Sequence, residues 1–249
     1  MRRLTAAFLF LPIAGVAPPA HAQSRAKSER AWFSVSGGIQ PAPGSFDDAF
    51  DLTLYTEKEH IAVDYPSKSG VLIAASGGYR LWKQLSIGLG VTRSSSSGSA
   101  KVNAQLPHPF FDNTLRNIEG TAHTTRAETG AHLLIGTMLP LAKRFRVLLT
   151  AGPSVLNVEQ RIITDVTFSE TYPYDTAAFT GVKTSNSPPR TAAGFNAGAD
   201  LSWMFSKTIG AGALVQVTHA RVKANAGAGR SVSFDAGGVQ AGAGLRLVF

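Results

Sequence analysis

Residues 71–92 read VLIAASGGYRLWKQLSIGLGVT, and this stretch decides the fold. Val71, Ile73, Ala75, Gly77, Tyr79 and Leu81 alternate with Leu72, Ala74, Ser76, Gly78 and Arg80. After a short turn at Trp82, Lys83 and Gln84, Leu85, Ile87, Leu89 and Val91 alternate with Ser86, Gly88, Gly90 and Thr92. A two-residue period sends the two sets to opposite faces of a strand, and two such runs around a tight turn make a β-hairpin. One face is oily; the other is small, polar or charged.

The same unit recurs twice. Residues 127–139 and 145–152 alternate on either side of a turn at 140–144, and residues 193–205 and 209–218 do so around 206–208. Single strands at 33–39 and 239–249 bring the count to eight. An even number of antiparallel strands closes into a ring, the first beside the last, with no exposed edge. The three tight connections fall on one side. The long segments 41–69, 95–124 and 160–190, with a shorter one at 222–231, fall on the other and read as loops. Within them, 94–99 is a serine-rich run expected to be a flexible spacer, while 52–54 and 61–65 alternate and could extend strands. Short turns at one end and long loops at the other mark a membrane barrel with its short side facing the periplasm. The expected fold is all-β, an eight-stranded antiparallel up-and-down transmembrane β-barrel.

Composition fits this and excludes much else. Of 249 residues, 25 are Gly and none is Cys, so disulfide scaffolds and thiolate metal sites are ruled out. Charged residues are only 16% of the chain, and no apolar run is long enough for a membrane-spanning helix. The formal charge of +8 is spread over scattered Lys and Arg, so no basic run argues for nucleic acid. Residues 1–22 combine Arg2 and Arg3, a short apolar stretch and the ending Ala20-His21-Ala22, which reads as a cleaved signal peptide. Residues 23–249 are then the exported barrel domain.

The membrane fixes which row faces where. In hydrocarbon the apolar rows face lipid, and a charge on that face near the midplane costs roughly 2–4 kcal/mol. The rows holding Arg80, Glu128, His132, Arg146, Asp200, Gln216, Gln240 and Arg246 must therefore point inward. Eight strands enclose a lumen that side chains fill. Glu128 and Asp200 are expected to pair there with Arg80, Arg146 or Arg246, giving a plugged polar interior. Trp32, Phe33, Tyr79, Trp82, Phe145, Trp203, Phe205 and Phe249 would form an aromatic girdle at the short-turn level.

On these residues the sequence resembles the small eight-stranded outer-membrane β-barrel family, the OmpX-like and OmpW-like proteins, over about 31–249. The sharpest shared feature is the ending Ala243-Gly244-Leu245-Arg246-Leu247-Val248-Phe249, similar to the terminal strand such proteins present to the barrel assembly machinery. The step Gly152-Pro153-Ser154 is also similar. The resemblance implies an outer-membrane location and Phe249 as an assembly signal. It names no single activity, since its members include adhesins, small-solute channels and structural barrels.

Chemistry is sparse. Lipid A deacylases of similar size carry a lipid-facing His with a Ser two residues on; here His219 is followed at that spacing by Arg221. No catalytic residue, cofactor or metal is expected, and the acidic set Asp47, Asp48, Glu57, Glu59, His60 and Asp64 reads as solvated loop. His219, Arg221 and Lys223 share one parity at the outer rim, where they could contact lipopolysaccharide phosphates. The expected function is surface interaction or envelope integrity by a monomer. A narrow channel for small or hydrophobic solutes is the alternative, and a lipid A-modifying enzyme is the third reading. The expected partners are outer-membrane lipids, including lipopolysaccharide, and the assembly machinery, with no nucleic acid.

Overall fold

A computed structural model describes residues 30–41, 44–185, 189–225 and 230–249. The expected signal peptide at 1–22 lies outside them. Twelve strands appear among the described residues: β1 (Ala31–Gln40), β2 (Phe46–Leu54), β3 (Glu57–Tyr65), β4 (Gly70–Trp82), β5 (Leu85–Pro107), β6 (Leu115–Pro140), β7 (Phe145–Gln160), β8 (Ile162–Glu170), β9 (Ala177–Ser185), β10 (Arg190–Met204), β11 (Ile209–Asn225) and β12 (Ser231–Val248).

Eight of them form the ring. The pairing order runs β5, β4, β1, β12, β11, β10, β7, β6, and the β5–β6 ladder closes it, every contact antiparallel. The first ring strand lies beside the last, with Val35 opposite Leu245. The other four strands are hairpins inserted in the long connections. β2–β3 joins the outer end of β5 through His60 opposite Gln105 and Asp64 opposite Lys101. β8–β9 forms a separate two-stranded sheet. The tight turns stay short for local reasons. At 206–209, for example, the Ser206 hydroxyl accepts hydrogen bonds from the Thr208 and Ile209 backbone N–H groups at 3.2 and 3.0 Å.

The alternation seen in the sequence is the alternation of exposure. Leu89, Leu149 and Val215 point outward, 68%, 40% and 52% exposed, while Glu128, His132, Gln216, Gln240 and Arg246 are buried inside.

Three expectations need correction. The segment 95–124 is not a loop: β5 and β6 remain paired residue by residue, from Ser95 opposite Ala127 to Pro107 opposite Leu115. The serine run at 94–99 is part of that ladder, because small hydroxyl side chains fit either face of a twisted strand. Trp32 does not join the girdle. Its even-numbered row turns it into the lumen, where the absence of a side chain at Gly78 and Gly88 makes room for the indole.

Above the ring, β2, β3, β5 and β6 continue as a sheet, and β8–β9 packs on its inner face. Phe50, Ile61, Val63, Ala100, Val102, Leu106, Ile118 and Ile163 are buried between them. The Phe179 ring lies directly on the Gly120 backbone, at a place any side chain would occupy. The former loops thus carry their own apolar core, here called the cap.

Candidate functional site

The inward-facing side chains fall in layers. At the periplasmic end Trp32, Leu134 and Leu148 pack together with Met138. Beside them Arg246 donates from Nε to Asp200 Oδ1 at 2.8 Å and from Nη1 to the Leu245 carbonyl at 3.0 Å. Arg146 shares a cavity of only about 30 Å³ with this pair. Arg80 occupies the inward row of β4 opposite Ser86.

The next layer is neutral and polar. His132 lies between Thr92 Oγ1 at 2.9 Å and Ser154 Oγ at 2.8 Å. A Ser beside a His is the start of nucleophilic chemistry, but the second ring nitrogen meets a hydroxyl instead of a carboxylate, and all these groups are buried. Asn196 explains the layer. Pro153 has no N–H, and the β6–β7 register skips from His132 opposite Ser154 to Ile135 opposite Ala151. The Asn196 amide spans the gap, reaching the Gly152 carbonyl at 2.9 Å, the Leu133 and Pro153 carbonyls at 3.2 Å and Ser154 Oγ at 2.9 Å. This is repair of a broken ladder.

At the outer end of the lumen sits the Glu128 carboxylate. Its cationic partner is Arg126, whose Nε donates to Oε1 at 2.7 Å, and not Arg80, Arg146 or Arg246 as spacing suggested. Arg126 is two residues away on the same inward face, so the ion pair needs no other strand. Glu128 Oε2 accepts from Gln40 Nε2 and from the Gly237 backbone N–H, both at 3.1 Å. Arg126 also donates to the Asp235 carbonyl at 2.7 Å and lies over the Phe234 ring, 5.1 Å from its centroid. One carboxylate and one guanidinium therefore tie β1, β6 and β12 together. Leu156, Val158, Ile162, Val222 and Phe234 lie packed in one apolar cluster at this outer end.

The cap absorbs residues expected to be solvated. Asp48 is buried and accepts from Arg230 Nη1 through both oxygens, at 2.8 and 2.7 Å, and the guanidinium lies 3.6 Å from the centroid of the Phe50 ring. Glu59 is buried too. Burial, and secondarily the neighbouring Asp165, pushes its carboxyl up to about 7, against the pull of Lys183. Asp47 and Asp64 do stand exposed on the outer face. Among the described residues no group of three or more His, Asp or Glu could hold a metal ion.

At the tip, Arg116 Nη2 donates to the Pro107 carbonyl at 2.7 Å and Nη1 to Glu170 at 2.5 Å, and Glu170 also accepts from the Tyr55 hydroxyl. His108 Nδ1 accepts from the backbone N–H of Phe110 and Phe111 at 3.1 and 3.2 Å, fixing the turn. Phe110 and Phe111 project from this turn and Tyr172 from the β8–β9 connection, 68%, 61% and 84% exposed.

Outside the ring, Phe33, Val35, Ile39, Val71, Ile73, Leu81, Ile87, Leu89, Val91, Leu201, Val217, Val239 and Leu245 form a continuous exposed apolar belt. Tyr79, Trp82, Phe145, Trp203, Phe205 and Phe249 border it at the short-turn end. A belt of this kind around a closed ring with charged residues inside is stable only in lipid. The fold is a transmembrane β-barrel.

This barrel matches no protein-family model and no curated protein. Among solved structures it is similar to the outer membrane protein OprG from Pseudomonas aeruginosa, at 12% identity and a TM-score of 0.48, covering 89% of this chain and 97% of that one. It is also similar to Neisserial surface protein A, at 12% identity and 0.43, covering 89% and 98%. For AlkL in lipid bilayers the figures are 12% and 0.37, covering 94% and 97%.

The rim residues lie where their parity puts them. His219, Arg221 and Lys223 are exposed on the outward face of β11. The His219 ring lies 5.6 Å from that of Phe195, Arg221 is opposite Asp235, and Lys223 is opposite Ser233. Phe249 closes the barrel seam: its N–H donates to the Ala31 carbonyl at 2.9 Å, and its carbonyl accepts from Arg30 and Ala31. Sequence reasoning missed Arg126, Asn196 and the Asp48–Arg230 pair. Two of them carry a local signal, Arg126 by sharing the row of Glu128 and Asn196 by pairing with the Pro153 region of β7. The third pair is remote in sequence and has none.

Proposed function

We propose that this barrel resides in the outer membrane as a monomer, does not conduct, and acts through its extracellular cap in surface interaction or envelope integrity. The observation that carries this is the contrast between the two ends of the same strands. Inside the membrane Trp32 packs with Leu134, and the Asp200–Arg246 and Arg126–Glu128 pairs lie within the lumen. Beyond it, β5 and β6 rise as a packed cap with Phe110, Phe111 and Tyr172 exposed at the tip. An exposed aromatic cluster on a rigid support is the composition of an interaction surface. No catalytic step or cofactor enters this function. Outer-membrane lipids surround the belt, and the strand ending in Phe249 is what the assembly machinery would read.

The hydroxyl-lined middle of the lumen, with Ser34, Ser36, Thr92 and Thr218 facing inward, favours the narrow channel as second reading. Planar-bilayer recording on the purified chain separates the two. The cap function predicts no reproducible single-channel steps, together with loss of surface attachment when Phe110, Phe111 and Tyr172 are changed to Ser. Steps of constant size in the unmodified chain would establish the channel instead.

A further inference from the structure

On the outer wall, where β4 begins, β7 ends and β5 and β6 run on, an open groove of about 760 Å³ is lined by Val71, Ala127, Ser95, Ser97, Thr125 and Arg161. Its chemistry changes with height. Val71 and Ala127 continue the lipid-facing belt through Ile73, Val91 and Val155. Ser95, Ser97 and Thr125 supply hydroxyl groups above them, and Arg161 sits beside Thr125, its backbone N–H donating to the Thr125 backbone carbonyl at 3.2 Å.

Just below, Arg93 is exposed on the outward row, with Ile73 and Thr129 as its cross-strand neighbours and Val91 next along the row. An arginine on the lipid face costs roughly 2–4 kcal/mol at the midplane but only about 0–1 at the interface, so Arg93 belongs at headgroup level. None of its flanking outward residues is acidic. Among the described residues Glu159 is the one carboxylate lining the groove, and it leaves Arg93 and Arg161 in excess. On β11, by contrast, Arg221 already faces Asp235.

We infer that this groove binds the phosphorylated headgroup of an outer-leaflet lipid, with Arg93 and Arg161 as the phosphate donors. Continuity with the apolar belt selects a lipid over a free anion, because acyl chains run down past Val91 and Val155, below Arg93, while the guanidinium groups of Arg93 and, higher up, Arg161 hold phosphate oxygens of the headgroup. The inference rests on the membrane placement proposed above.

The test measures lipopolysaccharide binding to the full chain purified in detergent, with dephosphorylated lipopolysaccharide and inorganic phosphate as separate arms. Variants are first checked for heat-modifiable migration of the folded barrel. Arg93→Ala with Arg161→Ala is expected to weaken binding by about tenfold or more, since each lost charge-assisted hydrogen bond is worth roughly 1.5–3 kcal/mol. Arg221→Ala with Lys223→Ala is expected to change it by less than about threefold, and inorganic phosphate is expected not to compete. Should the alanine pair fail to fold, Arg93→Gln with Arg161→Gln carries the same test. Equal affinity of the altered and unaltered groove overturns the inference, as does equal loss from the β11 pair. Full competition by inorganic phosphate overturns it in favour of a free-anion site. Recovery of the chain in the soluble fraction would remove the membrane placement as well; failure of binding by a chain recovered with outer membranes removes only the groove.

Discussion

Arg246 on β12 donates to Asp200 on β10 at 2.8 Å, reaching past the intervening strand β11 to join two parts of the wall that are not neighbours. Both groups are largely buried, so each depends on the other. Asp200→Ala leaves a buried cation without its partner and should cost about 3–5 kcal/mol. Asp200→Leu combined with Arg246→Met removes both charges and should cost distinctly less. Urea titration of the folded, heat-modifiable form in detergent measures the difference. Equal losses in the single and double variants would mean that the pair is not coupled.

The belt makes a depth-dependent prediction on one strand. Leu89 lies between Leu85 at the periplasmic turn and Arg93 at the outer rim, and Ser97 lies above that rim on the same outward row. Leu89→Arg should destabilise the barrel by roughly 2–4 kcal/mol, and Ser97→Arg by about 0–1 kcal/mol. The check is refolding into phosphatidylcholine vesicles followed by denaturant titration. Comparable costs would show that the belt is not where the lipid is.

Gly120 and Phe179 test how the cap is held. A methyl group at position 120 would collide with the Phe179 ring, so Gly120→Ala should loosen the β8–β9 hairpin by about 1–3 kcal/mol. Phe179→Ala in the same chain removes the collision and should recover part of that loss. Protease cleavage between Ile162 and Ser185, timed in single and double variants, reads the docking directly.

Glu59 gives the cap a pH dependence of known sign. Its carboxyl, ordinarily at 4.5, is raised to about 7 in the folded protein, first by burial and then by Asp165. Between those values the folded chain keeps a proton that the unfolded chain has released, so stability falls as pH rises through the window and the loss is complete above it. Glu59→Gln should leave stability at pH 5 nearly unchanged and raise it at pH 8. Urea midpoints at the two pH values measure this. A variant that tracks the native chain at both would exclude Glu59 as the cause.

The membrane part of this protein was legible because lipid imposes a strict rule. Residues 71–92 could alternate only one way, and the eight ring strands, the seam between β1 and β12 and the inward charged rows all follow from it. Two things were not legible. Above the membrane the lipid rule lapses, so the segment 95–124 looks like loop although 95–107 and 115–124 pair as strands. Inside the lumen, parity says which residues meet but not at what height. Spacing therefore points Glu128 to distant arginines although Arg126 is two positions away, and its place at the short-turn level points Trp32 to the girdle although its row faces inward.

The unbroken passage of β5 and β6 from wall to tip constrains how this surface can vary. At roughly 3.4 Å per residue, the stretch beyond Ser95 holds Phe110 and Phe111 on the order of 40 Å farther along the strand, on a stalk without a joint. Removing one residue from each strand would turn the cap's core face out and its wet face in; removing two would lower the tip and keep every face as it was. Its height above the apolar belt can therefore change only in even steps, matched on both strands, which makes height a quantised trait of this molecule.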